Sequence, residues 1–243
     1  MNLFEHLKQV EILPLALGPL NLSITNGVLV SFLAAGLVFL FFFTVSRKAK
    51  LQPTPWQSIA EYMIEFIDKE MLAPLGKEAA GWIPFMVTIF SFILFCNLLG
   101  IIPGLLPPTS NINVTATLAI IIFITTQVVG VRKHGITGYI KSIVPAGLPL
   151  PVTIFLFPVE IIGQLARPFS LAVRLFANMF AGHAIILMLI GLIIIFKNYY
   201  IVPFPLMGNV AILAFEVFVS FIQAFIFTYL SSTYIVGALQ SEH

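Results

Sequence analysis

The sequence predicts an all-α polytopic membrane protein. It would have five membrane-inserted helical segments, a surface amphipathic helix, and two long, steeply tilted helices at the C-terminal end. Three observations lead there. A mean hydropathy of +1.05 with only 9% charged residues excludes a soluble domain and confines polar surface to short loops. Apolar runs long enough for a hydrocarbon core of about 30 Å, which takes roughly 20 residues, recur along the chain. The last two runs are too long for an upright crossing: at ~1.5 Å per residue they would extend about 65–70 Å and about 55 Å.

Residues 1–50 form an N-terminal segment and the first transmembrane helix, Ile24–Ser46, which ends at Arg47, Lys48 and Lys50. The opening MNLFEHLKQV lacks a basic stretch followed by an apolar core, so no cleaved signal peptide is expected. Residues 51–79 hold the amphipathic helix Thr54–Leu72, with Thr54 as cap and Pro55 at the first helical position. Its Trp56, Ile59, Met63, Phe66 and Ile67 recur at helical spacing, while Gln57, Glu61, Glu65 and Asp68 fall on other faces. That pattern suits a helix lying on the inner membrane surface.

Residues 80–149 make a transmembrane hairpin and a basic loop. Its helices are Ala80–Ile102 and Val114–Val131, joined by the proline-broken, uncharged turn PGLLPPTSNIN and followed by Arg132, Lys133 and His134. Residues 150–243 carry the long pair, Leu150–Phe196 and Pro203–Gln240, with a turn after KNYY and kink points at Pro158 and Pro168. Arg47, Lys48 and Lys50 follow the first span, and Arg132, Lys133 and Lys141 follow the third; the other turns carry only Lys197. The positive-inside rule therefore puts the N-terminus outside and the C-terminus inside. The net charge of +2 is too small to suggest nucleic acid, and the lone Cys96 excludes an intrachain disulfide or a cysteine metal site.

The most informative residues are ionisable groups inside the fourth run. An ionisable side chain at the bilayer centre costs at least about 2.5–3.5 kcal/mol, so a face that carries several looks onto water, a partner or an ion path. At ~100° per residue, Glu160, Gln164, Arg167, Leu171, Arg174 and Asn178 fall within an arc of about 80°. Glu160 can reach Arg167 only across two turns, and no local carboxylate serves Arg174. On the fifth run Glu216 and Gln223 nearly superimpose. If the two helices run antiparallel with Arg174 level with Gln223, then His183 and Glu216 both land roughly 10–14 Å further out. Such a pair can accept protons from the outer side. Glu160 lies about 21 Å toward the inner side. The pattern is two offset half-paths divided by a guanidinium, which keeps its proton in a protein and serves as a barrier rather than a relay.

LARPFSLAVRLFANMFAGH followed by FEVFVSFIQAFIFTYLSSTYI closely resembles subunit a of the F-type ATP synthase membrane sector, the stator beside the rotating c-ring. PWQSIAE, FCNLLGIIPG and VPAGLPLP add to the match, which runs from about residue 50 onward. The resemblance implies that Arg174 is the essential central cation, with Asn178 and Gln223 beside it. It implies an outer proton path at His183 and Glu216 and an inner path at Glu160 and Gln164; it leaves Arg167 unassigned. It further implies two tilted helices against the c-ring, no nucleotide site and no cofactor, with H⁺ as the transported ion and Na⁺ as the alternative. The implied partners are the c-ring subunits, the peripheral stalk b subunits, other ATP synthase subunits and membrane lipid. The implied location is a bacterial inner membrane, multi-pass, with the mitochondrial inner membrane as alternative.

Two other classes fit less well. A secondary transporter with a midplane ionisable site would usually show an inverted repeat, and none is evident. A bilayer-embedded enzyme would need clustered catalytic or metal-binding groups, whereas His6, His134, His183 and His243 are scattered.

Overall fold

The computed structural model describes residues 11–13, 16–17, 20–21, 24–102, 105–142, 149–196 and 202–240. Lys197 and the KNYY turn, His6, His243 and the side chain of Lys141 lie outside the described residues. Two small antiparallel ladders come first: β1 (Glu11–Leu13) with β4 (Ile24–Thr25), and β2 (Ala16–Leu17) with β3 (Leu20–Asn21). These were not expected from the apolar pattern alone.

The rest of the described chain is helical apart from short connections. Five helices are long and apolar enough to cross a membrane: α1 (Asn26–Arg47), α3 (Ile83–Gly100), α4 (Ile112–Ser142), α5 (Leu150–Phe196) and α6 (Pro203–Gln240). The all-α polytopic fold class is therefore the observed one. The shorter α2 (Pro55–Phe66) precedes α3 and continues into a π-helical turn, Ile67–Met71. Thr54 caps α2 as expected: its side chain accepts from the Gln57 backbone N–H, with Pro55 in the first turn. Met63, Phe66 and Ile67 pack against the core, while Trp56 and Ile59 project outward.

Gln57 departs from the expected polar face. It is buried, donating to the Lys50 carbonyl at 3.0 Å and to Glu61 Oε1 at 2.8 Å, and accepting from the Lys50 N–H at 3.1 Å. A side-chain amide can saturate one backbone N–H and one carbonyl together, so it holds the chain ahead of the helix.

The core gathers Ile67, Leu72 and Leu75, then Met86, Phe90 and Ile93 of α3, Ile122 of α4, Leu171 and Leu175 of α5, and Phe227 and Ile235 of α6. A satellite cluster joins Val30 and Ala34 of α1 to Cys96 and Leu99 of α3. Helix α5 runs unbroken through Pro158 and Pro168. Its 47 residues correspond to about 70 Å.

The basic loop expected after residue 131 is helical instead. Arg132–His134 continue α4 until Gly135 breaks it at φ 71°, ψ 166°, a conformation essentially confined to glycine. Beyond the break the chain folds back. The Tyr139 ring covers Gly130, where a Cβ would lie 2.2 Å from Tyr139 Cε2, and its hydroxyl donates to Gln127 Oε1 at 2.8 Å. His134 Nε2 donates to the Ala238 carbonyl at 3.1 Å, tying this corner to the end of α6.

Gly135→Ala should strain that break by about 1–3 kcal/mol. Hydrogen exchange of the amides in residues 136–142 should then accelerate by roughly tenfold or more. Unchanged exchange would show that the corner does not depend on a glycine-only conformation.

Candidate functional site

Helices α5 and α6 pack along each other, and the polar residues of both meet at two levels. At the first, Asn178 Nδ2 donates to Gln223 Oε1 at 2.8 Å. Gln223 is 2% exposed, so this bond gives an otherwise isolated acceptor its partner. At the second, His183 Nδ1 lies 3.4 Å from Glu216 Oε1, with Glu216 4% exposed. The antiparallel alignment inferred from spacing thus brings His183 and Glu216 together.

Arg174 lies on the exposed side of α5. It is exposed and makes no hydrogen bond or ion pair among the described residues, while Gln223 is engaged by Asn178. The residue bonded to Gln223 is Asn178, one turn further along α5 than Arg174. The physical reason is the side of the helix: Leu171, Leu175 and Met179 take the buried face, which turns Arg174 outward.

The His183 ring is held from two helices. Its Nδ1 faces the Met179 carbonyl at 3.1 Å as well as Glu216, and Nε2 faces the Gly100 carbonyl at 2.9 Å. Gly100 ends α3, and the last carbonyls of a helix lack intrahelical partners, so its oxygen is free to accept. A neutral imidazole has one N–H and can serve one of these carbonyls at a time; the imidazolium serves both. The chain also crowds closely here: a Cβ at Gly100 would lie 2.3 Å from Pro107 Cβ.

Glu216 sits against the α5 backbone. Both of its carboxyl oxygens are buried without a hydrogen-bond partner, as is Ser220 Oγ one turn away. An ideal Cβ at Gly182 would fall 2.1 Å from Glu216 Oε1, so the carboxyl occupies the space that a side chain at 182 would take.

Fourteen residues before Arg174, a cavity of about 460 Å³ opens between α4, α5 and α6. Glu160, Gln164, Arg167 and Leu171 line it from α5, Gln127 and Tyr139 from α4, and Tyr234 from α6. Arg167 Nη2 donates to Glu160 Oε1 at 3.2 Å, closing the ion pair across two helical turns, and its guanidinium lies 5.5 Å from the Tyr234 ring centroid. The polar stripe read on α5 is therefore divided: Glu160, Gln164, Arg167 and Leu171 line the cavity, Arg174 is exposed, and Asn178 reaches across to α6.

Reading the sequence missed Gly100, Gly182, Tyr139 and Tyr234. FCNLLG just ahead of a proline-rich turn signals a helix end, and hence free carbonyls. Tyr139 sits on α4, away from the polar pattern, and Tyr234 lies on α6 eleven residues past Gln223; nothing in local spacing marks either. No group of His, Cys, Asp and Glu suited to a metal ion occurs among the described residues.

The chain matches the family described as "ATP synthase A chain" over residues 28–236. It is 39% identical to "ATP synthase subunit a" of Chloroherpeton thalassium over 243 residues, 98% of this chain and 71% of that protein. Identity to the protein of the same description from Magnetococcus marinus is 38%, covering 98% and 93% of the two chains. For Paramagnetospirillum magneticum it is 36%, covering 98% of each.

Asn178→Leu should leave the buried Gln223 amide without its donor and destabilise the protein by about 1–3 kcal/mol. Asn178→Leu combined with Gln223→Leu should recover part of that loss, because no orphaned polar group remains. Thermal unfolding of the purified protein in detergent measures both, and a double variant no more stable than the single one would refute the pairing.

Proposed function

Because the chain belongs to the ATP synthase A chain family, we propose that it is the proton-translocating stator subunit of an F-type ATP synthase. It would work beside a c-ring in a bacterial inner membrane and have no nucleotide chemistry of its own. One observation carries the reading. Arg174 stands exposed, with no hydrogen-bonding or ionic partner among the described residues, on a membrane-length helix between a buried acid–imidazole pair and the cavity lined by Glu160.

A proton arrives from the outer side at His183 and Glu216. The pair shares it between a carboxylate and a ring whose two N–H groups both have acceptors, and passes it to a carboxylate carried by a c-subunit. When that carboxylate returns ionised after nearly a full turn, the guanidinium of Arg174 attracts it and favours its charged form. Its proton has left on the inner side through the cavity lined by Glu160 and Gln164. Arg174 also blocks direct passage between the two half-paths, since an arginine holds its proton where a buried lysine can lose it. Asn178 and Gln223 fix the spacing of α5 and α6 at this level. Arg167 holds Glu160 and the cavity wall in place.

The outward faces of α5 and α6 support contact with lipid and a membrane partner: Phe169, Val173 and Phe180 are exposed on α5, and Phe215, Phe218 and Phe221 on α6. Steep tilt of both helices would lay this surface along the curved ring, and peripheral stalk b subunits would hold the stator still. H⁺ is the transported ion in this reading.

Arg174→Gln and Arg174→Lys should each abolish proton-driven ATP synthesis in inverted vesicles while the complex stays assembled. Coupled synthesis at the parent rate in either variant would overturn the barrier role. For the outer pair, His183→Glu alone sets two carboxylates against each other, which raises the proton affinity of the pair. Adding Glu216→His should restore activity above that single variant. A double variant no better than the worse single one would show that the two residues are not coupled.

A further inference from the structure

We infer that the hydroxyl of Ser220 is a proton-relay group. It takes the proton from the Glu216 carboxyl and hands it inward, toward the level at which Asn178 meets Gln223. This rests on the reading of His183 and Glu216 as the outer proton site and adds the step by which a proton leaves that site.

Distance makes such a step necessary. Glu216 and Gln223 are seven residues apart on α6, about 10 Å along the axis at ~1.5 Å per residue. A hydrogen bond between two oxygens spans only about 2.5–3.0 Å, so one bond cannot join the two levels. On α5 the residues between Asn178 and His183 are Met179, Phe180, Ala181 and Gly182, with no hydroxyl, amide or ionisable side chain. On α6 the residues between Glu216 and Gln223 are Val, Phe or Ile except for Ser220. It lies ~6 Å inward from Glu216 and ~4.5 Å short of Gln223, and at ~100° per residue the three fall within an arc of about 60°. All three are buried, at 4%, 0% and 2% exposure for Glu216, Ser220 and Gln223.

The hydroxyl itself is the second observation. Ser220 Oγ is buried without a hydrogen-bond partner among the described residues. A serine or threonine inside a helix commonly satisfies its hydroxyl on the carbonyl one turn back. Two other buried hydroxyls of α6 do so: Thr228 donates to the Ala224 carbonyl at 2.8 Å and Ser231 to the Phe227 carbonyl at 2.7 Å. Ser220 makes no such bond to the Glu216 carbonyl. An unpaired buried hydroxyl is destabilising, and both carboxyl oxygens of Glu216 carry the same deficit one turn away. Two such groups in succession have a use when both meet a proton in transit.

A hydroxyl can donate and accept at once. As the Glu216 carboxyl gives its proton to a lone pair of Ser220 Oγ, the hydroxyl releases its own proton toward the ionised c-subunit carboxylate. That carboxylate is reached through water beside Asn178, which is exposed on α5 while its amide holds Gln223. One O–H bond forms at Oγ and one breaks. Glu216 is left as a carboxylate, the c-subunit group becomes the acid, and the serine is unchanged.

The test compares the initial rate of proton-driven ATP synthesis in inverted vesicles carrying the whole complex, normalised to the ATP hydrolysis of its headpiece. Ser220→Ala should lower the rate at least about tenfold, as expected when a positioned proton-transfer group is lost. The unfolding temperature of the purified complex in detergent should stay the same or rise, because no internal hydrogen bond is removed. Threonine and valine match in shape and differ by the hydroxyl, so Ser220→Thr should exceed Ser220→Val severalfold. Parent activity in Ser220→Ala, or Ser220→Thr no faster than Ser220→Val, overturns the relay. A slowed Ser220→Ala complex that also unfolds at a lower temperature overturns it too, by assigning the loss to packing. Glu216→Ala separates the two layers. If it abolishes synthesis while Ser220→Ala keeps the parent rate, only the relay falls. If Glu216→Ala itself keeps the parent rate, the outer proton site falls, and the relay with it.

Discussion

An ion taken out of water costs several kcal/mol unless a counter-charge or hydrogen-bonding groups replace its hydration. Helix α5 and its neighbour α6 answer that constraint three times, each in its own way. Glu160 and Arg167 neutralise each other at the wall of a cavity large enough to admit water. Glu216 lies beside an imidazole held by two backbone carbonyls. Arg174 has no counter-charge among the described residues and is turned out of the bundle. The first two solutions are closed within one chain. The third leaves a full positive charge on the outer surface of a membrane-length helix, an arrangement that suits a chain meant to meet a charged partner.

Close approach of helices makes the first two solutions possible. Gly100 ends α3 tightly enough against Pro107 for its carbonyl to reach His183. Gly182 lets a carboxylate lie against the α5 backbone, and Gly130 lets Tyr139 fold over α4 beside the cavity. All three glycines have the same use: a missing Cβ becomes space for a functional side chain or a chain reversal. Gly135 differs, because its positive φ turns the chain in the C-terminal part of α4. The packing around these points uses large apolar residues from four helices, so the polar groups sit in surroundings too dense to rearrange freely.

Much of this was legible in the letters. The five long helices follow from apolar length, and the bounds of α5 and α6 coincide with those read from composition and turn residues. The cap at Thr54 and Pro55 was visible because capping is local chemistry. The meeting of His183 with Glu216 followed from counting residues along two antiparallel helices, since rise and rotation per residue are constant.

Angular arithmetic on one helix determined which residues share a face, and that is what the sequence alone settled: the fold class, the spans and the candidate polar residues. It could not say which face turns inward, because that depends on which neighbouring helix supplies the apolar surface. The burial of Leu171, Leu175 and Met179 decided it, giving Gln223 to Asn178 and leaving Arg174 outward. Nor could it foresee α4 continuing through its basic residues and reversing at Gly135, or the carbonyl acceptors around His183. A carbonyl oxygen is common to every residue and has no letter of its own, so only the tertiary packing decides which one is left free and within reach of a ring nitrogen.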